Sequence, residues 1–123
     1  MERGFAMLSK KYPPMCELSI GRIGNGRVVD EGAALAALEW AILDDADVIN
    51  ASWSFDVQTC SDEMPCPICR FCHTAHQRNI CIVAAAGNVS GGDDKITTCP
   101  AKNRDVVTVG SVDLGSVDTR KKL

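Results

Sequence analysis

A three-layer α/β architecture, a parallel sheet of about four strands with helices on both faces, follows from how apolar residues are spaced along this chain. Short apolar runs alternate with segments of helical period, an order that implies parallel strands joined by right-handed crossovers. The runs are continuously apolar, the pattern of strands buried on both faces. With 123 residues, 46% of them hydrophobic, residues 1–123 are read as one domain with a core of its own.

The first predicted strand covers roughly Glu17–Ile23, and Gly-rich, polar Gly24–Val29 follows as a surface loop. The stretch EGAALAALEWAILDD places Leu35, Leu38 and Ile42 at helical spacing, with Asp30 positioned to cap it. Trp40 on this helix is read as core. A second strand is expected over Asp47–Ser52. After a polar loop from Phe55 to Pro65, a second helix is expected over Cys66–Arg78; its prolines, Pro65 and Pro67, suit only a first turn. Ile80–Ala86 and Val106–Val112 complete the strands. Between them Val89–Thr98 reads as a loop, its Asp93-Asp94 pair as solvated acid, and the terminal TRKKL as a frayed charged end.

Charge narrows the partners. Thirteen Lys+Arg stand against 16 Asp+Glu, for a net −3, and no basic block is present to neutralise a row of phosphates or grip an anionic membrane. Neither nucleic acid nor membrane is expected as a partner. No apolar run reaches the roughly 18 residues of a membrane span, and MERGFAMLSKKYPP lacks the apolar segment of a signal peptide. The seven cysteines point instead to an oxidising or extracellular setting. The two cues oppose each other, so localisation stays open.

In an open parallel sheet, ligands gather beyond the carboxyl ends of the strands. Two runs end there in polar residues: DVINASWS delivers Asn50, Ser52 and Ser54, and CIVAAAGN delivers Asn88. The small Ala84, Ala85 and Ala86 leave space beside the strand, Gly87 admits a close backbone, and Asn88 offers NH₂ donors at the rim. A plain Gly-Asn turn is the alternative reading.

Three blocks, ALEWAILDDADVINASW, ICIVAAAGN and CPAKNRDVVTVGSVD, occur in the order and spacing of the central part of subtilisin-like serine proteases, and the chain resembles that family from about Pro14 to Asp118. The resemblance implies that Asn88 is the oxyanion-hole asparagine, a neutral donor aimed at the charge that develops on an attacked carbonyl. It implies that Ser52, Trp53 and Ser54 pair with extended substrate like an added strand. It also implies that Ala84 to Gly87, hence Ala85, Ala86 and Gly87, and Thr98, Cys99 and Pro100 form two walls of the specificity pocket, with Gly24–Val29 as the opposite rim of the cleft. The family's partners, an extended peptide or protein substrate and the remainder of the protease domain, are implied with it, and no cofactor is.

The family's aspartate, histidine and serine motifs, DTG, HGTH and GTSMA, are missing, and His73 and His76 fall in the wrong segment to replace its base. The chain is therefore expected to contribute an oxyanion donor and substrate walls to an endopeptidase without hydrolysing peptides unaided. The alternative is a non-catalytic module that holds peptides. Cys66-Pro67-Ile68-Cys69 also resembles the CPxC motif of thiol-disulfide oxidoreductases, although those place it directly after their first strand. Cys66, Cys69, Cys72 and His76 along one helix would diverge rather than close on a zinc ion, so no metal is expected. Under the family's layout Cys99 lies near the start of the Cys66 helix, implying a Cys66–Cys99 disulfide beside the pocket. Cys81 reads as a small core residue.

Overall fold

The computed structural model describes residues 16–57, 60–88, 96 and 98–111. The first helix, α1, spans Glu31–Leu43 and starts where Asp30 accepts a 2.7 Å hydrogen bond from the Ala33 N–H, satisfying one of the free donors of its first turn. Strand β1 (Val48–Ala51) follows, then the two-residue β2 (Phe55–Asp56), helix α2 (Pro67–Gln77), β3 (Cys81–Ala85), the two-residue β4 (Thr98–Cys99) and β5 (Val106–Val109). Helix α2 has proline in its first turn, as expected, and Cys66 as its N-cap. It ends at Gln77 with Arg78 as C-cap, and Asn79 follows with a φ of 60°, which suits a residue that tolerates left-handed geometry.

Strands β1, β3 and β5 form a parallel sheet with β3 in the middle. The register aligns Ile49 with Ile82 and Val106, and Ala51 with Ala84 and Thr108. Successive side chains point to opposite faces, so these two rows share a side. Ile82, Ala84 and Ala51 are buried there, in one core with Leu38 and Ile42 of α1 and Ile68, Cys69, Cys72 and Ala75 of α2. Both helices thus cover the same face.

The α/β class with parallel strands is as the sequence implies, but among the described residues the helices cover one face of the sheet rather than both as expected, and further details differ. Residues 17–22 join no strand ladder; Leu18 and Ile20 are half exposed, and only the Gly24–Val29 bridge follows them. Three parallel strands are therefore present among the described residues. Their apolar runs are also buried on one side only: Val48, Val107 and Val109 are more than half exposed and Cys81 faces solvent, so Cys81 is not a core residue. Trp40, 44% exposed, lies at the margin of α1 rather than inside. The predicted endings in Val112 and TRKKL, the Asp93-Asp94 pair and most of the Val89–Thr98 loop lie outside the described residues.

Candidate functional site

The carboxyl ends of β1 and β3 leave the sheet together, because Ala51 and Ala84 are opposite partners in a parallel register. Beyond β1, Ser52 and Ser54 are exposed, and Ser52 Oγ donates to Asn50 Oδ1 at 3.1 Å. Trp53 is half-buried against the core and meets the Phe55 ring edge-on at 5.6 Å between centroids. The chain then pairs as β2 with β4 in antiparallel fashion, Phe55 opposite Cys99 and Asp56 opposite Thr98. That short ladder draws the 52–54 stretch and the 98–100 segment to one side of the molecule. Two residues are the whole of it, so its stability comes from packing: Cys99 and Pro100 are fully buried.

At the end of β3, Ala85 and the following Ala86 are half-buried, and the Ala86 N–H donates to Val109 O at 2.9 Å, extending the β3–β5 contact. Gly87 takes φ = 97°, a region that side chains disfavour. That turn directs the chain out of the sheet, and Asn88 is exposed. A Cβ at Gly87 would stand 3.3 Å from Thr98 Oγ1, so the end of β3 and the start of β4 face each other closely. The Thr98 hydroxyl is buried and has no hydrogen-bond partner among the described residues. An unpartnered buried hydroxyl costs on the order of 1–3 kcal/mol, which makes it a group that an incoming polar atom would satisfy. A shallow depression beside Phe55 of β2 is lined also by Gly24, Asn25, Val28 and Val29. The loop there is shaped by Asn25, whose side-chain oxygen accepts from the backbone N–H groups of Arg27 and Val28.

A second cavity lies between α2 and the turn preceding β5, where Cys69, Arg70, His73, Lys102 and Asp105 line it. His73 Nδ1 lies 2.8 Å from Asp105 Oδ2 and its Nε2 lies 3.1 Å from the Gln77 amide. Both ring nitrogens are engaged. Through these two contacts the histidine ties α2 to the turn before β5. His76 is exposed.

The cysteines require a correction. The bridge expected between Cys66 and Cys99 is not formed: every described cysteine is a free thiol, and the nearest contacts, Cys69–Cys99 at 3.5 Å and Cys60–Cys69 at 3.6 Å, are far longer than a disulfide. Four thiols meet instead, those of Cys60, Cys66, Cys69 and Cys99. Cys60 had no signal in its own surroundings, a polar loop without periodicity. Burial pushes its thiol up, but the Cys66 backbone N–H, which donates to Cys60 Sγ at 3.3 Å, and the neighbouring thiols outweigh this and lower it from 9.0 to about 7. Burial dominates at Cys69, raising it to about 11, and raises Cys99 as well. Cys72, on the same helix, turns into the core, and burial pushes it up to about 12. The paired CPxC thiols, Cys66 and Cys69, are both buried, unlike the accessible cysteine that thiol-disulfide exchange needs.

Against known proteins, the model of the subtilase family, Peptidase_S8, matches residues 13–120. No curated protein matches the chain.

Proposed function

Since the chain belongs to the subtilase family and is a subtilase-like portion of a protease, we propose that it supplies the oxyanion donor and the substrate-binding walls of a serine endopeptidase. Asn88 is the donor. An amide is suited to this role because it is neutral: it stabilises the oxygen that becomes negative as a nucleophile adds to a peptide carbonyl, and it has no proton to lose in doing so. Ser52, Trp53 and Ser54 are the edge against which an extended peptide lies, with main-chain groups giving affinity and alternate side chains giving preference. Ala85, Ala86 and Gly87 form one wall of the pocket for the residue before the scissile bond, and Thr98, Cys99 and Pro100 the other. The loop from Gly24 to Val29 is the far rim.

The observation that carries this reading is the pairing of an exposed Asn88 with the close approach of Gly87 to a buried Thr98 hydroxyl that has no hydrogen-bond partner among the described residues. A turn that served only to reverse the chain would have no need of a polar atom buried without a partner beside it. In this reading the aspartate, histidine and serine of the reaction come from other polypeptide, because the family's DTG, HGTH and GTSMA motifs do not occur in these 123 residues. Substrates are peptides or proteins bound in extended form. The same feature of the chain, substrate walls without a base or nucleophile, favours as a second reading a module that holds extended peptides without cutting them.

The test is peptidase activity of the longest reading frame that contains this chain, compared with its Asn88→Ala variant. Loss of an oxyanion amide costs about 10²–10³ in kcat, the figure known for subtilisin itself, with KM little changed. Cleavage that survives Asn88→Ala unaltered would overturn the assignment of Asn88. Absence of cleavage together with saturable binding of an extended peptide would support the second reading.

A further inference from the structure

Three separate stretches of chain bring four sulfur atoms to one point. Cys60 comes from the loop after β2, Cys66 and Cys69 from the N-cap and first turn of α2, and Cys99 from β4. The four Sγ atoms all lie within 4.8 Å of one another. A tetrahedral zinc site with Zn–S bonds of about 2.3 Å has sulfur-to-sulfur edges of about 3.8 Å, and the two shortest separations here are 3.5 and 3.6 Å. A polynuclear iron–sulfur cluster, which spreads its cysteines over several irons, needs sulfurs set farther apart. The spacing therefore suits a single ion.

We infer that Cys60, Cys66, Cys69 and Cys99 form a tetrathiolate site for one Zn²⁺ ion. Four thiolates leave no coordination position for water or substrate, so the site is structural. Binding transfers the ion from its aqueous shell to the four sulfurs, releases the shell waters, and sends the thiol protons to solvent; no electron moves. The surroundings suit a centre of net negative charge. The Cys66 backbone N–H points at Cys60 Sγ, and the N-terminal end of α2, with its positive partial charge, carries two of the ligands. As the N-cap of α2, Cys66 makes no side-chain capping bond, which leaves its sulfur free for the ion. The ammonium of Lys102 lies nearby, donating to Val57 O at 3.0 Å and Cys60 O at 2.9 Å, and Asn103 donates to Cys69 O at 3.2 Å. These bonds hold the ligand-bearing backbone, as outer-shell groups do around zinc. Zinc geometry fails along α2 alone, but succeeds once Cys60 and Cys99 close the tetrahedron from outside the helix.

The inference stands on the four sulfurs and does not rest on the protease reading. Its consequence for that site is local: Cys99 lies between Thr98 and Pro100, so an ion here would pin one wall of the proposed pocket to the start of α2 and to the loop carrying Cys60.

The 123-residue chain, reduced and freed of metal, is titrated with Zn²⁺ and, separately, with Co²⁺. Expected are one Zn²⁺ per chain, a tetrahedral tetrathiolate cobalt spectrum that Zn²⁺ abolishes, a higher melting temperature with Zn²⁺, and four fewer thiols reactive toward a disulfide reagent. Cys60→Ser and Cys99→Ser should each weaken Co²⁺ binding by more than the roughly 10–100-fold that outer-shell changes cost; Cys16→Ser and Cys81→Ser should leave it unchanged. The thiol count on the unsubstituted chain keeps the test valid where a serine variant fails to fold. A reduced chain that gives no tetrahedral cobalt spectrum overturns the inference. So does peptide mapping of freshly isolated protein that finds any of these four cysteines joined in disulfides.

Discussion

Replacing Gly87 by alanine tests the contact on which the proposed site depends. At φ = 97° an alanine carries a backbone strain of roughly 1–2 kcal/mol, partly offset by the roughly 0.4–1 kcal/mol that Gly→Ala gains by restricting the unfolded chain. Backbone terms alone therefore predict a loss of about 1 kcal/mol. The new methyl would also stand 3.3 Å from Thr98 Oγ1, tighter than ordinary contact, and the buried β4 strand has little room to yield. We expect that overlap to add about 1 kcal/mol, for a total near 2 kcal/mol. Gly26 is the internal control, with φ = 89° and nothing within 4 Å of its would-be Cβ. Gly26→Ala should show the backbone term alone, about 1 kcal/mol. Urea unfolding read by circular dichroism measures both, and about 4 °C of melting temperature should accompany each kcal/mol. Adding Thr98→Ala should return Gly87→Ala to the level of the Gly26 control, because the two groups are coupled only through their contact. Equal losses for Gly87→Ala and Gly26→Ala, or a double variant without recovery, would refute the close approach of these two walls.

Asp30→Ala removes the cap of α1 and should cost about 1 kcal/mol in a thermal melt, with Asp30→Asn retaining most of it because its side-chain oxygen still accepts from Ala33. Ile82→Ala in the central strand, where only 1% of the residue is exposed, should cost about 2–5 kcal/mol by urea unfolding, whereas Val107→Ala on the open face should cost under about 1. Iodoacetamide applied to the metal-free folded chain at pH 9 should label the exposed Cys16 and Cys81 and spare Cys72, whose thiol is held up at about 12 by burial. Since the folded state keeps that proton longer than the unfolded one, Cys72 should lower stability as pH rises from 9 towards 12. Comparison with Cys72→Ala isolates this slope.

Features encoded locally were legible in the sequence. Helix α1 is marked by Asp30 and the spacing of Leu38 and Ile42, and α2 by the proline of its first turn; both form where expected, within a residue or two. The runs around Ile49, Ile82 and Val106 became the three parallel strands. Where partners come from far along the chain, the sequence carries less. Glu17–Ile23 has strand-like composition, but composition does not provide a neighbouring edge. The same apolar continuity suggested burial on both faces, because hydrophobicity reports what a face tolerates and not whether anything covers it. The β2–β4 ladder joins Phe55 to Cys99 with no local signature at either end. Reading Cys66, Cys69, Cys72 and His76 along one helix missed the actual grouping, in which Cys72 points into the core and Cys60 and Cys99 arrive from elsewhere. At the candidate site, Asn88, Gly87 and Thr98 stood out through the subtilase-like blocks around them, while the orphan hydroxyl of Thr98 is a property of three-dimensional packing alone.

One-sided burial of the sheet divides each strand into two populations of positions. A lysine or glutamate at Val48, Val107 or Val109 would meet water and should improve solubility without reaching the interior. The same change one residue away, at Ile49 or Val106, would force a charge against the helices. Tolerance to substitution along β1 and β5 should therefore rise and fall at every second residue, and that rhythm can be used to engineer a better-behaved form of the chain while its interior is left intact.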